Sequence, residues 1–244
     1  APHTPDGAEP QAAEPQGSPD AGDYPPFRIK DCALIAIATG RRAQNLRELR
    51  DILQTIEPES IYYHFWGSRL RPRFDDPEFQ NDFAAWTHHA LRDGPTAERL
   101  GVIDPTDFTL EELRQELIDV IEERLDQLDH IVWSKPAQQF NFLTSQIVVF
   151  DTHREIHDPQ QLADVVPTMT SSSIFYHVID ARRRTPDSVD DFRAWLTGFG
   201  SPFGDRYVDL SERLADIDPF FSTLPELRAE LTALLRGYLG ESDA

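Results

Sequence analysis

The sequence predicts a helix-rich α+β protein made by tandem duplication. Each copy is a strand followed by four helices, and a pseudo-twofold pairs the copies through a small central two-stranded sheet. Three observations predict this. "SIYYHFWGSRLR", Ser60 to Arg71, returns as "SIFYHVIDARRR", Ser173 to Arg184, with aromatic, Tyr, His and Arg in the same order. The offset of 113 residues also holds upstream, where Phe27 falls on Phe140, Thr39 on Thr152 and Arg41 on Arg154. Downstream, past two small gaps, "DFAAW" (Asp82–Trp86) meets "DFRAW" (Asp191–Trp195) and "ERLGVIDP" (Glu98–Pro105) meets "ERLADIDP" (Glu212–Pro219). "TLEELRQEL" from Thr109 then meets "TLPELRAEL" from Thr223.

Taken in order, residues 1–26 are Pro, Ala, Gly and acidic residues with Tyr24 as the single aromatic. Such a segment buries too little apolar surface to offset its ordering entropy, so it reads as a disordered tail or linker. Residues 27–244 read as one domain: repeat 1 (27–125), a connector (126–139) and repeat 2 (140–239). Each repeat opens on a short apolar run rich in β-branched residues, "ALIAIAT" or "QIVVFDT", expected as a buried strand. A lone strand would leave its ladder groups unpaired, so the two strands should pair with each other. Asn45 and Asp158 fit N-caps, with Glu48 and Gln161 three residues on and Pro159 at the first helical position. Ser60 and Ser173 are expected to cap the second helix, and the DFxxW block lies on the third. Thr109 with Glu112, and Thr223 with Glu226, open the fourth as capping boxes. One face of that helix carries Leu110, Leu113, Leu117, Ile121 and Leu125, matched by Leu224, Leu227, Leu231, Leu235 and Leu239.

Charge narrows the partners. Against 43 acidic residues stand 23 basic ones, for a formal net charge of −20. Phosphate backbones demand a basic footprint, so no nucleic-acid partner is expected, and an anionic membrane surface is equally disfavoured. No apolar run approaches the ~20 residues of a membrane helix. The start "APHTPDGAEPQ" has no apolar stretch of a secretory signal, so a cytoplasmic location is expected. Cys32 is the one cysteine, which excludes an internal disulfide and leaves it as a small buried hydrophobe.

The repeated string holds the candidate site. Residues seven apart on a helix differ by only about 20° of rotation, so His64 shares a face with Arg71, and His177 with Arg184. If the pseudo-twofold brings these helices together, two His and two Arg converge, with hydroxyls from Tyr63 and Tyr176. That cluster suits a small anion such as phosphate, sulfate or a sugar-acid carboxylate, or else a partner protein. In the competing structural reading, the same His and Arg bond carboxylates of the partner copy, for instance Asp82 and Asp191. The functional expectation is a non-catalytic binding or regulatory module. The alternative is an enzyme using His/Arg acid–base chemistry on a phosphorylated or sugar-derived substrate. No nucleophile elbow, H-E-x-x-H or kinase signature is present. "DTHREIHD" offers His153 and His157 at a metal-like spacing, but the matching "TGRRAQN" reads as a strand-to-helix turn. Adjacent His88 and His89 should point about 100° apart. No metal and no cofactor are therefore expected.

"KDCALIAIATGRRAQNLRELRDIL", "SIYYHFWGSRL" and "SIFYHVIDARRRTPDSVDDF" carry a resemblance. In these blocks the chain resembles a bacterial family of uncharacterised proteins, a domain of unknown function, from about Phe27 to the C-terminus. The resemblance implies a fold boundary and, from family context, the company of carbohydrate or compatible-solute enzymes. It brings no catalytic residues.

Overall fold

Two strands, β1 (Phe27–Ala43) and β2 (Phe140–Ile156), pair antiparallel as a two-stranded ribbon, each 17 residues long. The computed structural model describes residues 24–71, 78–106, 108–127, 138–199 and 206–240. The sequence reading of a tail over 1–26 and a connector over 126–139 falls mostly outside them. Pairing is continuous from Lys30–Asp151 to Ala38–Leu143, with Leu34 opposite Ile147 at the centre. The register slips once towards each end. Gly40 and His153, 113 residues apart, sit in these slips with φ of +79° and +55°. The left-handed turn comes freely to the glycine and costs the histidine. Each slip is tied by a hydroxyl: Thr39 Oγ1 donates to Phe142 O (2.8 Å) and Thr152 Oγ1 to Ile29 O (2.5 Å).

Ten α-helical segments among the described residues surround the ribbon. The first half gives α1 (Leu46–Leu53), α2 (Pro58–Trp66), α3 (Asp82–His89), α4 (Gly94–Gly101) and α5 (Leu110–Gln127). The second gives α6 (Leu162–Val165), α7 (Ser171–Ile174), α8 (Asp191–Thr197), α9 (Arg206–Ala215) and α10 (Leu224–Gly240). A π turn (Phe175–Ile179) and a 3-10 turn (Asp180–Arg183) prolong α7. The halves are interlocked: α2 packs on β2, and α7 packs on β1. Behind this layer, α5 buries Leu113, Leu117 and Ile121 against α1 and α2, and α10 buries Leu227, Leu231 and Leu235 against α6 and α7.

Three expectations change. Each half has five helices rather than four, because the ERLGVIDP and ERLADIDP blocks begin within α4 and α9. Ser60 and Ser173 are not caps. They lie inside α2 and α7, and their hydroxyls donate to the opposite strand at Leu143 O (2.7 Å) and Lys30 O (2.6 Å). Thr170 is the cap of α7, accepting from Ser173 N–H. Finally, the strands are buried chiefly towards their ends. Phe27, Ile29, Phe140 and Phe142 are in the core, whereas Ile35, Ile37, Val149 and Phe150 stand exposed mid-ribbon.

Candidate functional site

His64 and His177 are each 2% exposed, with both ring nitrogens engaged. His64 Nδ1 lies 2.8 Å from Asp82 Oδ2, and its Nε2 accepts the Leu143 N–H at 3.0 Å. His177 Nδ1 lies 2.7 Å from Asp191 Oδ2, and its Nε2 accepts the Lys30 N–H at 2.9 Å. A main-chain N–H can only donate, so the ring proton resides on Nδ1 and faces the carboxylate. Each imidazole thus clamps the other half's strand to a carboxylate of its own half. Neither ring has a nitrogen left over for a substrate proton. The carboxylates foreseen from the partner copy come instead from the same one; the partner contributes main chain.

The two imidazoles do not converge. Leu143 lies opposite Ala38 and Lys30 opposite Asp151, eight residues apart along β1. At ~3.3 Å per residue the anchoring points are on the order of 25 Å apart. Antiparallel pairing about a central residue pair sends matched positions to opposite ends, which the expectation of a shared pocket overlooked. Arg71 and Arg184 also leave the helical face foreseen for them. α2 ends at Trp66 and tightens into a 3-10 turn (Gly67–Leu70), leaving Arg71 extended with its guanidinium 5.4 Å over the Tyr63 ring. Tyr63 is fully buried against Gly67, where a Cβ would meet its ring at 2.4 Å, and its hydroxyl has no hydrogen-bond partner among the described residues. Arg184 covers the Tyr176 ring at 3.9 Å and bonds Asp180 (3.0 Å), Asp191 (3.0 Å) and Tyr176 O (2.8 Å).

A cleft opens elsewhere between the halves. Its volume is about 710 Å³, and Tyr62, Trp66, Thr106, Phe108, Arg182 and Arg183 line it. Arg183 lies 4.1 Å over the Tyr62 ring, and Tyr62 Oη donates to the buried Asp180 at 3.4 Å. Burial pushes the Tyr62 hydroxyl's pKa well up, so it stays protonated. Burial also pushes the Arg182 guanidinium's pKa down, with Asp190 opposing the shift. Its Nε is buried without a hydrogen-bond partner among the described residues.

The repeated blocks differ at the residues that line the cleft. Arg182 matches Arg69, and Thr106 matches Phe220. Arg69 donates to Pro219 O (2.9 Å) and Ser222 O (2.6 Å), with its guanidinium about 5 Å from the Trp66 and Phe220 rings. Phe220 is fully buried and fills that corner. Thr106 donates its small hydroxyl to Asp104 (2.7 Å), and it lines the open cleft together with Arg182. Sequence reasoning does not single out Arg182, Arg183 or Tyr62. The run "ARRRT" in so acidic a chain was the available signal.

The remaining candidates resolve locally. His153 and His157 flank the end of a strand, not a turn. The His153 side chain is 90% exposed, and the two face different acids, Asp151 and Glu155. Cys32 is buried, donates to Ser172 O (3.3 Å), and has its thiol pKa pushed up to about 12 by burial and by Asp31. His88 and His89 do not diverge as expected: their ring centroids are 4.9 Å apart at the end of α3, since side-chain torsions bring back together what the helix separates.

Comparisons with known proteins give the family and a similar fold. The chain belongs to a family of unknown function (DUF5752), which matches residues 24–236. Among solved structures it is similar to OrfY from Thermoproteus tenax, at 25% identity and a TM-score of 0.74. That likeness covers 88% of this chain and 95% of the other. No curated protein matches. No helix among the described residues is long and apolar enough to cross a membrane.

Proposed function

We propose that the chain is a tandem duplication folded about a pseudo-twofold axis through the Leu34–Ile147 pair, and that its open cleft makes it a non-catalytic binding module for a small anion. Several features support the duplication. Leu34 and Ile147 are 113 residues apart and directly opposed, and the His, Ser and Thr bonds to the ribbon recur at that same offset. The binding reading rests on one observation: Arg182 lines an open volume, whereas the buried Phe220 ring packs beside its counterpart Arg69. A volume of this size suits a small molecule better than a protein surface. Two guanidiniums fit a phosphate or carboxylate, while the faces of Tyr62 and Trp66 and the Thr106 hydroxyl fit a polyol body. A sugar phosphate combines these features.

Thermal unfolding in phosphate, sulfate and sugar phosphates tests the reading. A ligand at a hundred times its Kd adds about 2.7 kcal/mol, hence a rise of about 5–10 °C in Tm for a chain of this size. Arg182→Gln should abolish the rise. Thr106→Phe should abolish it too, by supplying the missing ring, while leaving the ligand-free Tm unchanged or higher. No anion-dependent rise, or one that survives both substitutions, would sink the proposal.

A further inference from the structure

We infer that Glu78, His88 and His89 form a binding site for a zinc-like transition-metal ion at the C-terminal end of α3. Each residue offers one ligand atom, and the three atoms lie within 4.8 Å of one another. Around a tetrahedral zinc with bonds of about 2.1 Å, ligand atoms are separated by about 3.4 Å. Glu78 Oε2 and His88 Nε2 are already 3.7 Å apart, so closing on an ion needs only small side-chain rotations. Two imidazoles and one carboxylate select zinc, nickel or cobalt over calcium and magnesium, which prefer oxygen alone. Glu78 and His89 are exposed and His88 half-buried, so water completes the coordination. The site is open.

Two further observations separate this cluster from a chance surface ion pair. The first is anchoring. Phe79, next to Glu78, stacks on His88 with centroids 5.3 Å apart and seats against Gly101, where a Cβ would come within 2.8 Å of its ring. That contact fixes both the carboxylate's backbone and one imidazole before any ion arrives. The second is the matching helix α8. There DFRAW runs into Thr197 and Gly198 at the positions of His88 and His89, so packing of this helix does not demand imidazoles.

Calorimetric titration of the chelator-treated full chain with Zn²⁺, and separately with Mg²⁺ and Ca²⁺, tests the site. One equivalent of Zn²⁺ should bind, with no saturable heat from the other two ions. His88→Ala or His89→Ala should weaken binding by about 100-fold. Gly101→Ala, which leaves all three ligands in place but displaces Phe79, should weaken it by about 10-fold or more. Co²⁺ should give visible absorption that His88→Ala removes. Absence of a one-equivalent Zn²⁺ isotherm would overturn the inference, and so would an isotherm unchanged in both histidine variants.

Discussion

A buried imidazole that holds a neighbour's main chain is costly to remove, because what it leaves behind is also buried. In His64→Ala the Leu143 N–H loses its acceptor and Asp82 its donor. An unsatisfied buried group costs roughly 1–3 kcal/mol, and the vacated volume adds to that. We expect a loss of about 3 kcal/mol or more in urea unfolding, and the same for His177→Ala. A loss below ~1 kcal/mol in both would show that the clamp is not what holds the strands. At this scale the sequence named the important residues but not their partners. Repetition of Tyr, His and Arg marked the string, and Asp82 and Asp191 were read as bonding partners, though from the wrong copy. The other half of each clamp, Leu143 or Lys30 N–H, carries no residue-type signature and could not be read. The cleft arginines were missed for a related reason: the surroundings of Arg182 and Arg69 differ at Thr106 and Phe220, a long way off in sequence.

Helix ends were the most legible elements. Thr109 and Glu112, and likewise Thr223 and Glu226, form capping boxes, with each Thr N–H donating to its Glu at 2.8 Å. These N–H and hydroxyl bonds hold both carboxyl pKa values below the usual 4.5. A carboxylate with a lowered folded pKa stabilises the fold above its unfolded pKa, and that contribution is lost as pH falls through the folded value. The double variant Glu112→Gln/Glu226→Gln should therefore lose less Tm than the parent between pH 5 and the acid limit. Parallel Tm–pH curves would contradict this. Helices α4 and α9 escaped notice because α4 is short and framed by Gly94, Pro95 and Gly101, although Asp93 as its cap was visible. The strands misled differently. A run such as "ALIAIAT" reads as buried whichever of its faces is covered, and only the placement of α2 and α7 decides that.

At the scale of the molecule, the halves exchange supports: α2 lies on β2 and α7 on β1, and the hydroxyl of Ser60 and the imidazole of His64 both reach Leu143. Neither half then has a complete set of partners alone. Expressed separately, residues 24–127 and 138–240 should each lack a cooperative thermal transition by circular dichroism and regain one on mixing. Two independently cooperative halves would rule out the interlock. The bare middle of the ribbon has one more effect. With only two strands among the described residues, the middle of each flank has no neighbouring strand, and Ile35, Ile37 and Phe150 add apolar surface beside it. Such a ribbon is a template for unwanted strand addition. Arg28, Arg41, Arg42, Arg154 and Glu155, all exposed near its two ends, set charge beside that surface, which disfavours edge-to-edge pairing of copies.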